Sequence, residues 1–292
     1  VELEISAGAG IEAELRTLHA DAQQRAVTEH ILALADQAGY GAALIDAGAL
    51  AHAEAAVISW PQFAHMVRAA ARGLSRRGLQ QGDTAGIFVG DAVSHAVAVH
   101  AVRAAGAMAA AVRPTRSAAD IAAQLKQARA RLLITSAALA DLAIQAAERS
   151  WVRQVFAFGE AEGTTPFDSL VQTPRHSQPQ ADGTSDGLAP EQVFDLAELG
   201  LGLEADRVAP QLIRRPVPRL TCRDVVVAAP PCGDPEAYTS LLDLALAAGA
   251  TVVAAPLAQI TAALGVYKGT AAIVPRGMDV PGLPAGRILA VG

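Results

Sequence analysis

The chain has 292 residues, 52% of them hydrophobic but only 4% aromatic, and a formal net charge of −6. That length buries a substantial core, as about two average domains or one large α/β unit, and the bias toward Ala, Val and Leu suits helices packed on a parallel sheet. The acidic balance excludes the clustered cations that bind nucleic acid or anionic lipid, the two cysteines exclude a disulfide framework and point to a reducing cytoplasm, and no uninterrupted apolar run reaches the roughly 20 residues that cross a bilayer.

From Ile11 to Gln37 the residues Ile11, Leu15, Leu18, Val27, Ile31 and Leu34 recur at helical spacing, and Gly39-Tyr40-Gly41 ends the run. A short strand from Ala42 to Asp46 follows. Trp60-Pro61 opens the next helix, on which Phe63, Val67, Ala70 and Leu74 repeat at three- and four-residue intervals until Gly78 closes it. Strands are then expected from Thr84 to Val89, Met108 to Val112, Leu132 to Thr135 and Val152 to Phe158. Between them lie helices from Ala92 to Ala105, Ala118 to Ala128 and Ala137 to Arg149. Strict alternation with short connections is the pattern of a parallel sheet covered by helices on both faces.

The rhythm breaks from Gln172 to Pro190, where Pro174, Pro179, Gly183, Gly187 and Pro190 sit among polar residues in the manner of a linker. This divides the chain into a first α/β subdomain over residues 1–171, a linker over 172–190 and a second α/β subdomain over 191–292. In the second, four strands are expected from Val225 to Ala229, Thr251 to Ala255, Ala271 to Val274 and Ile288 to Val291. A helix from Pro235 to Ala248 joins the first two. The last strand meets Gly292 without the helix that normally covers such an element, so either further chain or a partner is expected on that face.

Three stretches carry a family resemblance in their order and spacing: SWPQFAHMVRAAARGLSRRGLQQGDTAGIFVGDAVSHAVAVHAVRAAGAMAAAVRP from Ser59, WVRQVFAFGEAEGTTPFDSL from Trp151, and RDVVVAAPPCGDPEAYTSLLDLALAAGATVVAAP from Arg223. Together, from about Ile31 to Gly292, they resemble the amino-terminal domain of the adenylate-forming superfamily of acyl-CoA synthetases, aryl-CoA ligases and adenylation domains. The resemblance implies an α/β fold of parallel-rich sheets covered by helices, with the family's carboxy-terminal domain absent. Members activate a carboxylate with ATP, releasing pyrophosphate, and usually pass the acyl group to a thiol.

The resemblance also says what is altered. The family's phosphate loop runs Ser/Thr-Ser-Gly-Thr-Thr-Gly-x-Pro-Lys-Gly, because glycines let backbone N–H groups close on a triphosphate while hydroxyls and an amine add donors and positive charge. At that place this chain has DLAELGLGLEADRVAPQLIRRP, from Asp195 to Pro216, with no Ser, Thr or Lys and with Glu198, Glu204 and Asp206 to repel a polyanion. Arg207, Arg214 and Arg215 read as a solvated helix face. Pro231-Cys232-Gly233-Asp234 stands where an aromatic pair and a histidine of the acyl pocket are implied, so Pro231, Cys232, Asp234 and Tyr238 mark a remnant cleft. No residue takes a catalytic, cofactor-binding or metal-binding role.

The expectation is therefore a catalytically silent binding, scaffold or regulatory protein in acyl or natural-product metabolism. It is expected in the cytoplasm without a cofactor, either as a homodimer or with a protein partner, and with room for a small acyl ligand. The alternative is the amino-terminal part of an ATP- and Mg-dependent acid–thiol ligase completed by a separate segment.

Other motifs have plainer readings. Gly163-Thr164-Thr165-Pro166 reads as a polar turn after a strand. Gly200-Leu201-Gly202-Leu203-Glu204-Ala205 fits a dinucleotide pattern without a preceding strand, and Gly183-Thr184-Ser185-Asp186-Gly187 fits a hydrolase elbow inside the linker. His95 and His100, five apart on one helix, are expected as one surface and one packing histidine. Cys222 and Cys232 are expected to be buried and inert, and Asp234-Pro235 to cap a helix.

Overall fold

The structure is a computed structural model that describes residues 22–48, 56–171 and 218–292. Helix α1 spans residues 22–37. It is followed by β1 (Ala42–Asp46), β2 (Ala56–Ser59), α2 (Trp60–Arg76), β3 (Thr84–Phe88), α3 (Ala92–Ala104), β4 (Met108–Ala111), α4 (Ala118–Gln127), β5 (Ala130–Ser136), α5 (Ala140–Glu148), β6 (Gln154–Phe158), β7 (Thr165–Pro166) and α6 (Asp168–Val171). After the next described residues come β8 (Val225–Ala228), α7 (Pro235–Ala247), β9 (Thr251–Ala254), α8 (Ile260–Tyr267), β10 (Ala271–Pro275) and β11 (Ile288–Val291).

Local chemistry sets the helix starts. Ser59 and Gln62 form a reciprocal capping box at α2, with Pro61 in the first turn, where its missing N–H has no bond to lose. Asp91, Ser117 and Asp234 cap α3, α4 and α7 by accepting from the backbone N–H groups of Ser94, Asp120 and Ala237. Each cap follows the end of a strand or its loop, so the chain reverses and lays the helix back on the sheet.

Two sheets result. One is ordered β11-β10-β8-β9-β1-β2, parallel throughout except where β2 pairs antiparallel with β1; the other is ordered β4-β3-β5-β6-β7 and is wholly parallel. Side chains alternate between faces along each strand. Val226, Ala228, Val252, Ala254 and Ile273 face inward, with Ala85, Ile87, Leu132, Ile134 and Phe156 of the other sheet, onto a core filled by α1, α2, α3 and α7. Val227, Val253, Ala272 and Val274 face outward onto α8, while Leu133 and Phe88 face outward onto α4 and α5. The architecture is five layers, helix–sheet–helix–sheet–helix. Helix α3 is buried along nearly its whole length, as its apolar sequence requires.

The sequence expectation of parallel-rich sheets covered by helices holds, and its elements fall within a few residues of those observed, except that the part of the first helix expected from Ile11 to residue 21 lies outside the described residues. Four elements went unread. Strands β2 and β7 and helix α6 are only four, two and four residues long, and α8 lacks a side-chain cap and contains Gly265. The division near residues 172–190 falls outside the described residues. Across it, β1 and β2 join the sheet that otherwise comes from residues beyond 218. Gly73 shows how tightly the layers meet: a Cβ there would lie 2.7 Å from the Cα of Leu170, so α2 and α6 touch backbone to backbone. Among the described residues, no helix is long and apolar enough to cross a membrane.

Candidate functional site

In parallel sheets, ligands lodge outside the carboxyl ends of the strands, where loops turn into helix N-termini. Here that mouth lies where α3 and α7 begin. Asp46 ends β1 and accepts from the Gly48 N–H at 2.9 Å. Asp91 caps α3, and burial holds its carboxyl above the usual range, with the Asp46 charge adding to the effect and the Ser94 hydrogen bonds opposing it. The loop after β8 carries Pro231, Cys232 and Gly233 to Asp234. There the Asp234 N–H donates to the Gly292 carbonyl at 2.9 Å, tying the loop to the end of β11. Gly233 has φ +62°, and a Cβ on it would crowd Val291 and the Gly292 carbonyl at 3.0–3.1 Å, so the position requires glycine. Arg113, beyond β4, approaches Asp234 at 3.8 Å from the opposite sheet, and its side chain is 66% exposed.

Behind the mouth the same two helices hold a sealed polar seam. Asp243 of α7 accepts from Arg103 of α3 at 2.8 Å and faces His100 Nε2 at 3.5 Å; all three side chains are at most 7% exposed. Because a carboxylate can only accept, the Nε2 facing it is the ring nitrogen suited to carry the proton, and Nδ1 lies 2.9 Å from the Thr28 hydroxyl, which also lies 3.3 Å from the Gln24 carbonyl. One turn nearer the mouth, His95 Nε2 lies 2.9 Å from Thr239 Oγ1. The Thr239 hydroxyl donates to the Pro235 carbonyl, so the His95 Nε2 is the donor. Burial pushes His95 down to about 3 and His100 down to about 4, both partly opposed by Asp243. Both rings are therefore neutral braces at ordinary pH. The edge of one packs on Tyr238 and that of the other on Phe63.

Comparison with known proteins fits this geometry. The family model for AMP-binding enzymes matches residues 36–191, more than half of the chain. The chain belongs to the AMP-binding enzyme family. Among solved structures it resembles a benzoate CoA ligase of Burkholderia xenovorans, at 21% identity and TM-score 0.62, covering 90% of this chain and 54% of that one. It also resembles a long-chain-fatty-acid-CoA ligase of Archaeoglobus fulgidus, at 18% identity and TM-score 0.61, covering 86% of this chain and 51% of that one. MatB of Rhodopseudomonas palustris is similar at 17% identity and TM-score 0.57, over 86% of this chain and 49% of that one. The chain thus spans about half the length of these structures, and at such identities they show the fold. Among curated proteins, none matches the chain by sequence.

A helix N-terminus attracts anions through free N–H groups, but α3 and α7 already hold the carboxylates of Asp91 and Asp234 on theirs. Each of these carboxylates takes one backbone N–H, that of Ser94 and that of Ala237. No group of three or more His, Cys, Asp or Glu side chains that could hold a metal ion occurs among the described residues. The segment from Asp195 to Pro216, where the resemblance places the phosphate loop, lies outside the described residues, as do the Gly183 and Gly200 motifs.

Of the residues marked as a remnant cleft, the structure brings Pro231, Cys232 and Asp234 together, half-buried, at the mouth. Tyr238 is different. Its ring is fully buried and its hydroxyl donates to the Ala229 carbonyl at 2.6 Å, with burial raising it well above its ordinary value, so it offers no atom to a ligand. The Cys232 thiol is also pushed up by burial, which makes it a weak nucleophile. Asp234 is the helix cap its sequence implies. Two expectations are corrected. Neither His95 nor His100 is a surface residue, because both lie between α3 and its neighbours and face α7. Cys222 is exposed rather than buried, since Asp224 binds the Thr221 N–H and hydroxyl in a turn that holds the intervening residues outward. The sequence reading missed Arg103 and Asp243, although an arginine near the end of apolar α3 and an aspartate inside the apolar run of α7 were the available signals.

Proposed function

We propose that this chain is a catalytically silent relative of the acyl-CoA ligases that works by binding, as a scaffold or regulatory partner in acyl or natural-product metabolism. It acts in the cytoplasm without a cofactor, either as a homodimer or with a protein partner. The observation that carries this reading is the run from Asp195 to Pro216, which has acids and aliphatics where a triphosphate needs hydroxyls and an amine. Each charge-assisted hydrogen bond lost there forgoes roughly 1.5–3 kcal/mol, so losing several removes most of the basis for ATP affinity. The carboxylate caps of Asp91 and Asp234 support it, as does the sealed Tyr238. Any small acyl ligand would lie against Pro231 and Cys232.

The test is calorimetric titration with ATP·Mg, alone and with a panel of carboxylic acids, together with pyrophosphate exchange. The expected result is no nucleotide heat and no exchange above buffer. Exchange at a rate that follows protein concentration overturns the reading.

A second reading is the amino-terminal part of an ATP- and Mg-dependent carboxylate-activating ligase completed by a separate segment. The observation favouring it is that the chain spans about half the length of the ligases it resembles. It requires exchange activity to appear when the complementary segment is co-expressed.

A further inference from the structure

Helix α2 has two unlike faces. Phe63, Val67, Ala70 and Leu74 are buried in the middle layer, while the opposite face carries His65, Arg68, Arg72 and Arg76 at intervals of three and four residues, with no acid on the helix. Residues at this spacing form one stripe, about 16 Å long from His65 to Arg76 at 1.5 Å per residue. Arg68 is held by both carboxylate oxygens of Asp36 on α1, at 2.7 and 2.6 Å, and its second nitrogen also reaches the Leu32 carbonyl. Among the described residues, Arg72 and Arg76 have no carboxylate partner. Beside the stripe, α1 and α2 enclose a groove of about 300 Å³, floored by Ala35, Ala38, Pro61 and Ala64 and walled by Asp36, His65, Arg68 and Arg72, the Asp36 carboxylate being paired with Arg68. Two residues beyond Ala38, Tyr40 is 84% exposed, the most exposed large hydrophobic side chain among the described residues.

We infer that this face is a docking surface for an acidic helical segment of a partner protein. In a chain of net charge −6, a row of cations in which the neighbouring acid of the groove, Asp36, is held by Arg68 while Arg72 and Arg76 stay without a carboxylate among the described residues is a local reversal of field that selects negative partners. The small residues of the floor let a helix backbone approach, the ordered Arg68 fixes one wall, and Tyr40 supplies an aromatic anchor of the kind that carries binding energy at interfaces. Carboxylates at i, i+4 and i+8 on a partner helix repeat at the pitch of the cations. An anionic membrane is the poorer match: among the described residues no exposed large hydrophobic side chain lies on α2 itself, and Tyr40 beside it is a single ring rather than the apolar face with which an amphipathic helix enters lipid. This inference names the partner class for the binding-protein reading, and its readout is independent of nucleotide chemistry.

The experiment uses the full chain and a fluorescein-labelled, helix-forming peptide with glutamates at i, i+4 and i+8, followed by anisotropy at low and high salt. Binding is expected at low salt and weakens with added salt. It weakens about tenfold or more in R72E/R76E and by a smaller factor in Y40A, and stays within about twofold in the control R149E on the far side. Because these side chains are exposed, melting temperatures should match the parent; if charge reversal lowers them, R72Q/R76Q gives the same comparison. Equal loss in R149E, equal binding of a Gln-for-Glu peptide, or binding of phosphatidylserine vesicles without binding of the peptide overturns the proposal. Pyrophosphate exchange accompanied by peptide binding would overturn the silent reading while leaving the docking surface intact.

Discussion

Helices α3 and α7 carry polar groups at two levels, and the levels are treated in opposite ways. At their N-termini, Asp91, Asp234 and Cys232 stand half-open at a mouth where ligands of parallel sheets lodge. About one to three turns deeper, His95 is bonded to Thr239, and Asp243 to Arg103 and beside His100, all of them sealed. The histidines with strongly shifted protonation lie in the sealed level. Perturbed titration often marks a reaction site, but the criterion also requires access, and here burial that shifts the histidines also denies them a substrate. The seam binds the two halves of the chain through α3 and α7; the mouth is where recognition chemistry would sit.

The largest test of that contrast is Asp243→Ala, which leaves Arg103 buried without its carboxylate. Urea unfolding should show a loss of about 3–5 kcal/mol, and the double variant R103M/D243L should recover much of it, because two apolar groups leave no orphaned charge. A double variant no better than the single would mean that the seam is held by something other than this pair.

Acidification is the next test. The unfolded chain protonates its histidines near 6.5, while the folded protein resists until about 3 for His95 and about 4 for His100. As pH falls below 6.5 the unfolded state therefore gains protons first, and the stability present above that value drains away toward pH 4. Each histidine should contribute about 2 kcal/mol of loss between pH 6.5 and 5, and His100→Gln should flatten the slope of stability against pH. A stability curve level across that range would contradict the neutral-brace assignment.

Smaller effects belong to the mouth. Asp234→Ala removes a helix cap and should cost about 1 kcal/mol by thermal melting. Asp91→Asn keeps the cap while removing a half-buried charge, so at pH 7 it should be neutral or slightly stabilising, with the difference shrinking as the pH is lowered. A large loss in D91N would show that the carboxylate has a partner that the geometry at α3 does not reveal.

Much of this could be read directly. The period-two strands, the all-apolar α3, the Asp234-Pro235 cap and the missing hydroxyls between Asp195 and Pro216 are local patterns, and local patterns survive without coordinates. His95 and Cys222 were misjudged because helical spacing gives the angle between two side chains but not what surrounds the helix. For α3 the surroundings are protein on nearly every side.

The amino-acid order by itself determined the α/β class, the family and the absence of Ser, Thr and Lys between Asp195 and Pro216, since each depends on residue types at short spacing. Only the tertiary structure decided that β1 and β2 cross into the sheet made mostly by the later residues. It also decided that Arg103 meets Asp243 across 140 positions and that Tyr238 is sealed rather than open to a cleft. Those outcomes follow from how the layers stack, and stacking is set by the summed burial of many side chains, which no short stretch encodes.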